Sequence, residues 1–389
     1  MMGAVFAMQG FGQFAAGLVT FLCVIGYRSQ LKQANTGTFY NSCTGDCLKA
    51  VDQMWRIIIG FGAIPACIAL YYRLTIPETP RYTFDVARDI EKGTEDTQAY
   101  FEGRSEGHPD EYKRIEALKI AEEDLTLTRA SFSDFFHHFG QWKHGKVLLG
   151  TAGSWFLLDV AFYGLSLNNS VILDAIGYST KDAVDLYDIL YRTALGNIII
   201  VCAGAIPGYW VTVATVDILG RKPIQYMGFF VLTILFCIIG FALHSLSPNA
   251  SLGLYVLSQF FFNFGPNATT FIVPGECFPT RYRSSGHGIS AASGKMGSII
   301  AQIAIGTLRT RGATATDPSP WLDHVMEIYA LFMLLGIGTT YLIPETKRKT
   351  LEELSGEEPA AAVALAQINQ TSSSQESVEK RLEEYGIAR

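Results

Sequence analysis

One acidic side chain, Asp159, lies near the middle of a segment that is apolar enough to cross a membrane. Trp155 precedes it by four residues and Tyr163 follows it by four, so the three side chains share one face of a helix. A carboxylate at bilayer depth costs roughly 2.5–3.5 kcal/mol on insertion scales, and such acids are usually functional. The pattern favours a proton- or ion-handling site. Neutralisation by a structural partner helix is the alternative.

A second apolar segment carries Asn263, Pro266 and Asn267 among phenylalanines. Proline removes a backbone hydrogen bond and bends a helix, which at membrane depth is tolerated where the helix lines a cavity. The amide of Asn267 could then donate to a substrate oxygen. In the first apolar segment, Gln9 and Gln13 are four residues apart and also share a helix face.

Lys295 lies several residues inside another apolar segment. Its amine could snorkel to the headgroups, but small residues on both sides favour close helix contact and an inward-facing amine. An amine, amides, a phenol and an indole suit an oxyanion that is held by hydrogen-bond donors. Because removal from water disfavours the ionised form of a carboxyl group, the acid could take up a proton before the anion binds. The residues therefore indicate proton-coupled anion uptake.

Other kinds of site have less support. No histidine or cysteine joins these polar residues, which disfavours a metal site, and no nucleophile–base pair accompanies them, so neither an enzyme nor a cofactor is expected. The net charge of −6 comes mostly from a loop and a tail. The sequence has no basic stripe with interleaved aromatic residues, which disfavours a nucleic-acid partner.

The composition indicates a multi-pass membrane protein. Of 389 residues, 49% are hydrophobic, the mean hydropathy is +0.21, and the charges are clustered. Eight segments are long and apolar enough to cross a bilayer. They are Val5–Ile25, Met54–Tyr72, Val147–Ile172, Leu195–Val216, Tyr226–Leu243, Leu252–Val273, Ile289–Leu308 and Val325–Ile343.

Lysine and arginine are concentrated in alternate joints, which predicts that both termini and the 73–146 loop are cytosolic. The 27–52 loop is then on the outer side, although it also carries basic residues. Cys43 and Cys47 share this loop, where oxidising conditions would permit a disulfide. In the cytosolic loop, Phe135–His138 indicates an amphipathic interfacial stretch in preference to a metal or haem site.

Five longer motifs stand out along the chain. They are A-V-F-A-M-Q-G-F-G (4–12), D-Q-M-W-R (52–56), P-E-T-P-R-Y (77–82), N-F-G-P-N-A-T-T-F (263–271) and G-E-C-F-P-T-R-Y-R-S-S-G-H-G-I-S-A-A-S-G-K (275–295). These motifs resemble helices five, six, ten and eleven of the proton-coupled inorganic phosphate transporters of fungi and plants, within the major facilitator superfamily. The similarity extends from Met1 to about Glu353. D-I-L-G-R-K (217–222) and P-E-T-K (344–347) are shared more widely with sugar porters and mark only the superfamily.

The resemblance implies an all-α membrane protein with a major facilitator fold. Residues 147–345 would form the complete carboxy-terminal six-helix half, and 1–72 two helices of the amino-terminal half. Residues 73–146 would be a cytosolic linker loop and 346–389 a cytosolic tail. The family's G-G-D-Y-P-L-S motif of helix four does not occur here, so the chain is expected to lack the first four helices. A truncated, inactive form is therefore one expectation.

The resemblance also implies roles for individual residues. The phosphate-binding residues would be Gln9, Trp155, Asp159, Tyr163, Asn267 and Lys295. Asp159 would also couple transport to protons. A cytosolic charge network would latch the two halves of the transporter in one state. Its members would be Glu78, Arg81, Asp217, Arg221, Glu276, Arg281 and Glu345.

The expected partners are inorganic phosphate, protons and the lipid bilayer, and the expected location is the plasma membrane. Two other functions remain open. The first is a sugar porter, but a resemblance to that family would require paired glutamines and an asparagine in helix seven, where this chain has Trp155 and Asp159. A non-transporting relative could instead sense phosphate or bind a protein partner.

Overall fold

The computed structural model describes residues 2–32, 43–75, 131–180, 183, 185–314, 319–349 and 353–354. Two residues of the predicted charge network, Glu78 and Arg81, lie outside these ranges, as do most of the 73–146 loop and most of the 346–389 tail.

The described part of the chain is almost entirely helical. The helices are α1 (Met2–Gly26), α2 (Arg28–Leu31), α3 (Asp46–Thr75), α4 (Phe132–Gly140), α5 (Trp142–Ser166), α6 (Asn169–Ala175), α7 (Leu186–Ile199), α8 (Ile206–Leu219), α9 (Arg221–Ala242), α10 (Pro248–Asn263), α11 (Pro266–Cys277), α12 (Thr280–Ile300), α13 (Gly306–Arg309) and α14 (Leu322–Tyr341). Two π-helical segments continue the chain between α-helices: π1 (Ile200–Ala205) after α7, and π2 (Ala301–Ile305) after α12.

Six helical stretches within the described residues are long and apolar enough to cross a membrane. They are Met2–Gly26, Asp46–Leu74, Trp142–Ser166, Leu186–Leu219, Arg221–Ala242 and Leu322–Tyr341. The other two predicted segments consist of shorter pieces. Leu252–Val273 is divided between α10 and α11, and Ile289–Leu308 runs through α12, π2 and α13.

The break between α10 and α11 coincides with the predicted bend. Helix α10 ends at Asn263, and α11 begins at Pro266, where the missing N–H of proline is tolerated at the first turn. The end of α5 differs from the prediction, because this helix ends at Ser166 and not at Ile172. Asn168 folds back at this end and donates its side-chain amide to the Gly164 carbonyl at 2.8 Å.

The chain forms two compact units. The larger comprises Met1–Ala69, Gly145–Glu276 and Gly286–Arg348. Its core contains the buried rings of Phe162, Phe236, Phe262 and Tyr329, from α5, α9, α10 and α14, with neighbouring centroids 5.4–6.1 Å apart. Lipid is as apolar as these side chains, so the helices are held together by close packing and polar contacts. One such contact is the 2.9 Å hydrogen bond from the Gln225 amide to the Thr340 hydroxyl.

The smaller unit comprises Leu70–His144, Cys277–Ser285 and Lys349–Arg389. Within its described residues, the Ser131 hydroxyl caps α4 by accepting from the Asp134 backbone N–H at 3.1 Å. The carboxylate of Asp134 is 3.1 Å from Arg281 Nη1 and also accepts from the Tyr282 hydroxyl. Phe135 packs edge-on against the ring of Tyr282. These contacts fix one face of α4 and leave Phe136 exposed on the other.

His138 is a half-buried histidine of this unit. Its ring stacks on that of His144 with centroids 4.0 Å apart, and it lies beside Tyr282. Burial lowers the pKa of His138, the nearby His144 and Arg281 lower it too, and Asp134 opposes them; the combined effect takes the pKa from 6.5 to about 4. His138 is therefore neutral in the folded unit at physiological pH.

We expect α4 to open more readily as the pH falls from about 7 to about 5, because the unfolded state binds a proton at His138 before the folded state does. Hydrogen exchange of the α4 backbone amides measures this opening. His138→Phe should flatten the pH dependence, whereas the same change at the exposed His137 should not. An equal pH response in the His138→Phe protein would show that this histidine does not govern the stability of α4.

Candidate functional site

Asp159 and Lys295 form an ion pair between α5 and α12. Lys295 Nζ lies 3.3 Å from Asp159 Oδ2 and donates to the Tyr163 hydroxyl at 2.8 Å. Ser298 Oγ lies 3.5 Å from the same carboxylate oxygen. The side chain of Asp159 is 1% exposed, whereas that of Lys295 is 56% exposed. The acid is thus enclosed, while its cationic partner remains accessible to a ligand.

A glycine allows the two helices to approach. A Cβ atom added at Gly294 would lie 2.7 Å from Asp159 Oδ2 and 2.5 Å from Trp155 Cδ1. One turn earlier on α12, the Ser290 hydroxyl hydrogen-bonds to that of Thr151 at 2.9 Å. The amine of Lys295 therefore has the inward orientation, not the snorkelling one.

Trp155 closes one side of the ion pair. Its buried indole makes edge-on contacts with the rings of His287 and Phe271, at centroid distances of 5.5 and 6.4 Å. The sequence interpretation did not single out either partner. His287 lies on α12 eight residues before Lys295, and this spacing was the available signal that it faces the same region.

The predicted amide residues meet in a second cluster. Asn267 donates its side-chain amide to the Tyr209 hydroxyl at 2.8 Å and to Asn263 Oδ1 at 2.8 Å. Tyr209 in turn donates to Gln9 Oε1 at 3.0 Å. Gln9 and Asn267 are thus joined through Tyr209, a residue of α8 that the sequence interpretation missed. A single tyrosine in an apolar segment gives little signal of such a role.

Aromatic side chains lie between the ion pair and the amide cluster. Phe6 stacks on Phe271 at 4.5 Å and contacts Tyr209 edge-on at 5.8 Å, and Phe271 contacts Trp155. Rings from α1, α5, α8 and α11 therefore connect the two polar groups. Together they offer a cation, a phenol, an indole and amides beside one buried acid.

This donor set suits an oxyanion. Within the described ranges, no group of three or more His, Cys, Asp or Glu side chains could hold a metal ion. The amine of Lys295 carries the charge that would attract an anion, and the Tyr163 hydroxyl and Gln9 amide could add hydrogen bonds.

Four of the predicted network residues do form one charge cluster. Arg221 binds Glu276 with two parallel hydrogen bonds, from Nε to Oε2 at 3.0 Å and from Nη2 to Oε1 at 2.9 Å. Its Nη1 lies 2.8 Å from Asp217 Oδ1. Glu276 also accepts from the Thr346 hydroxyl at 2.5 Å. Thr346 was not predicted.

Glu345 completes this cluster by capping α9. It accepts from the backbone N–H groups of Arg221 and Lys222 at 3.1 and 3.0 Å, where a carboxylate is favoured by the helix dipole. Gly220, which directly precedes α9, has φ +100°, and a Cβ atom added there would lie 2.8 Å from Glu345 Oε2. Glycine is thus needed for the turn and for the approach of the cap.

The remaining predicted residues are placed as follows. Arg281 pairs with Asp134 in the smaller unit, a partner that the sequence interpretation did not find. Cys43 and Cys47 are joined by a disulfide at the start of α3.

We expect Arg221→Gln to destabilise the protein by about 1–3 kcal/mol, because it leaves the carboxylate of Glu276 without its ionic partner in a partly buried site. Arg56→Gln is the matched control: it breaks an exposed pair with Asp52, which water screens, and should cost much less stability. Thermal unfolding of the detergent-purified proteins measures both effects. Equal losses of stability would show that the Arg221 cluster is no stronger than a surface ion pair.

Comparison with known proteins identifies the family. The family described as sugar (and other) transporter matches residues 13–357. The chain belongs to this family. A solved proton:xylose symporter of the major facilitator superfamily, with a bromodeoxyglucose bound, is similar at a TM-score of 0.56 and 20% identity, over 90% of this chain and 66% of that one. The family match and this similarity of fold together confirm the predicted all-helical membrane protein with a major facilitator fold.

More similar sequences belong to proteins named for phosphate. The chain is 64% identical to the repressible high-affinity phosphate permease of Neurospora crassa, over 92% of this chain and 62% of the relative. It is 57% identical to the inorganic phosphate transporter PHO84 of Saccharomyces cerevisiae, over 91% and 61%. A probable inorganic phosphate transporter of Arabidopsis thaliana is 39% identical, over 91% and 67%. The chain thus spans about three fifths of the length of the two fungal relatives.

Proposed function

We propose that the protein transports inorganic phosphate across a membrane by symport with protons. The observation that carries the proposal is the enclosed carboxylate of Asp159 beside the accessible amine of Lys295. The identity to fungal proteins named as a phosphate permease and a phosphate transporter supports the choice of substrate. We further propose the plasma membrane as the location, on the basis of the resemblance to fungal and plant transporters.

Proton binding at Asp159 would switch the charge that an anion meets. While Asp159 is ionised, its charge neutralises that of Lys295, and an approaching phosphate gains little. Once Asp159 takes up a proton, the amine carries an uncompensated positive charge. Two unit charges about 4 Å apart interact by about 4 kcal/mol at an effective dielectric constant of about 20. This energy is large enough to change the affinity for an anion by more than tenfold.

The neighbouring side chains take different parts in this proposal. The Tyr163 hydroxyl and the Trp155 indole lie on the same face of α5 as Asp159 and would contact the bound anion. Asn267 already donates its side-chain amide to Tyr209 and Asn263. We therefore assign it the role of positioning Tyr209 and Gln9. The amide nitrogen of Gln9 would then donate to a phosphate oxygen.

Alternating access requires a contact that closes one side of the transporter and can open. We propose that the cluster of Asp217, Arg221, Glu276 and Glu345 is part of such a cytosolic latch. It joins the ends of α8, α9 and α11 to the segment after α14. In this interpretation residues 147–345 are the carboxy-terminal half and residues 1–72 are helices five and six.

A sugar porter is the competing function, because the matched family includes sugar transporters. A neutral sugar carries no charge that could compensate the Lys295 amine once Asp159 is protonated, whereas an anion does. The ion pair therefore favours an anion, and sugar uptake is kept as an outcome of the test.

We expect Asp159→Asn to abolish pH-dependent uptake of labelled phosphate, with a loss of at least about tenfold in rate, or about 1.4 kcal/mol. The amide has the size of the carboxyl group but cannot exchange a proton. The assay uses yeast cells without phosphate transporters of their own. They express either this chain or a chimera that adds the residues of PHO84 lying outside the matched region.

Asp174→Asn, a change of the same kind at the end of α6, is the control and should leave uptake unchanged. Normal uptake that still responds to pH in the Asp159→Asn protein would contradict proton coupling at this residue. Uptake of labelled glucose or xylose without uptake of phosphate would instead identify a sugar porter.

A further inference from the structure

A polar cavity lies between α1, the end of α5, α6, α7, π1 and α10. Its volume is about 260 Å³. The polar groups in its wall come from Gln13, Thr20, Ser166, Asn169, Asn197 and Gln259. The residues that line it carry no charge, which distinguishes this cavity from the site at Asp159 and Lys295.

Some of these polar groups are fixed by hydrogen bonds to one another. Gln259 Nε2 donates to the Tyr255 hydroxyl at 3.2 Å, and this hydroxyl donates to Asn169 Oδ1 at 2.6 Å. Asn169 Nδ2 donates to Asn197 Oδ1 at 3.0 Å. These hydrogen bonds therefore orient the side-chain amides of Asn169, Asn197 and Gln259.

Other groups in the wall remain free. Among the contacts of the described residues, the Gln13 amide, the Ser166 hydroxyl and Gln259 Oε1 have no hydrogen-bond partner within the protein. The free groups include both donors and acceptors. A polar cavity of this kind is suited to a ligand, or to water, that can both accept and donate.

The cavity is also lined by an unusual backbone segment. Ile200, Val201 and Ala205 of π1 form part of its wall. Such π-helical segments are rare and occur frequently at functional sites. This is an observation about the backbone, independent of the unpaired side chains.

A polar stripe connects the cavity to the amide cluster. Tyr255, Gln259, Asn263 and Asn267 follow one another at intervals of four residues along α10 and α11. Asn263 Nδ2 donates to the Gln259 carbonyl, and Asn267 Nδ2 to Asn263 Oδ1, each at 2.8 Å. On α1, Gln13 lies one turn beyond Gln9. Neutral hydrogen-bonding groups thus run without interruption from the cavity to Gln9.

We propose that this cavity is a second phosphate site, specific for oxyanions that carry a hydroxyl group. The proposal rests on the proposed function, since phosphate is taken as the substrate. A protonated phosphate oxygen would donate to Gln259 Oε1 or Gln13 Oε1, and the other oxygens would accept from Gln13 Nε2 and the Ser166 hydroxyl. Sulfate has no proton to donate at neutral pH, so its oxygens would face these carbonyl oxygens unfavourably. The cavity would therefore admit phosphate and arsenate and exclude sulfate.

The test measures equilibrium binding of labelled inorganic phosphate to the full-length purified chain, with arsenate, sulfate or glycerol as competitor. The wild-type protein should bind two phosphates, and Gln13→Leu should lower the affinity of one of them by about tenfold, as expected for a lost hydrogen-bonding partner. Gln13→Glu should weaken the same site more strongly, because a carboxylate repels the anion. Gln30→Leu, the same change on α2 at a residue that does not line the cavity, is the control.

Lys295→Gln separates this proposal from the function proposed above. It should weaken the other phosphate and leave the Gln13-dependent one, which arsenate displaces and sulfate does not. Binding that is equal in the wild-type, Gln13→Leu and Gln13→Glu proteins overturns the second site, whatever Lys295→Gln does. Displacement by glycerol, retained in Gln13→Glu, overturns it in favour of a polyol site. Binding that depends on Gln13 but not on Lys295 overturns the proposed role of Lys295 and supports the second site.

Discussion

The ion pair between Asp159 and Lys295 is the interaction on which the rest of the site depends. A carboxylate removed from water loses several kcal/mol of hydration, and a nearby cation must compensate for this loss. The structure supplies the cation from α12, and Gly294 allows that helix to approach closely enough. Because Lys295 is accessible and Asp159 is not, a ligand that binds the amine can change the charge interaction within the pair without contacting the acid.

The uncharged groups near this pair form a connected series of hydrogen-bonding side chains. Tyr209 links Gln9 to Asn267, and the stripe along α10 and α11 extends the same chemistry to the cavity at Gln13. Amides can donate and accept, so they can hold a hydroxylated anion without trapping it by charge. Charge interactions instead hold Asp159 to Lys295 and join the members of the Arg221 cluster. One pair would then respond to the substrate while the other holds helix ends together.

The sequence predicted best where a residue was rare for its surroundings. An acid and an amine inside apolar segments drew attention to Asp159 and Lys295, which the structure places 3.3 Å apart, and Pro266 indicated the break between α10 and α11. Tyr209 was not predicted as a site residue, because a tyrosine is common in an apolar helix and its hydrogen-bond partners come from other helices. The partner of Arg281 is 147 residues away at Asp134, a pairing that only the fold can bring about. The sequence interpretation missed the π1 segment, which ends two residues before Pro207. It also missed the end of α5 at Ser166, where Asn168 donates its side-chain amide to the Gly164 carbonyl.

Coupling between phosphate and protons at this site is tested most directly by whether phosphate binding places a proton on Asp159. Infrared difference spectra, recorded as phosphate is added to the purified protein at constant pH, detect the C=O stretch of a protonated carboxyl group. We expect this band to appear with phosphate, to be absent with sulfate, and to be missing from the Asp159→Asn protein. Phosphate binding with no such band in the wild-type protein, or with the same band in Asp159→Asn, would contradict the account.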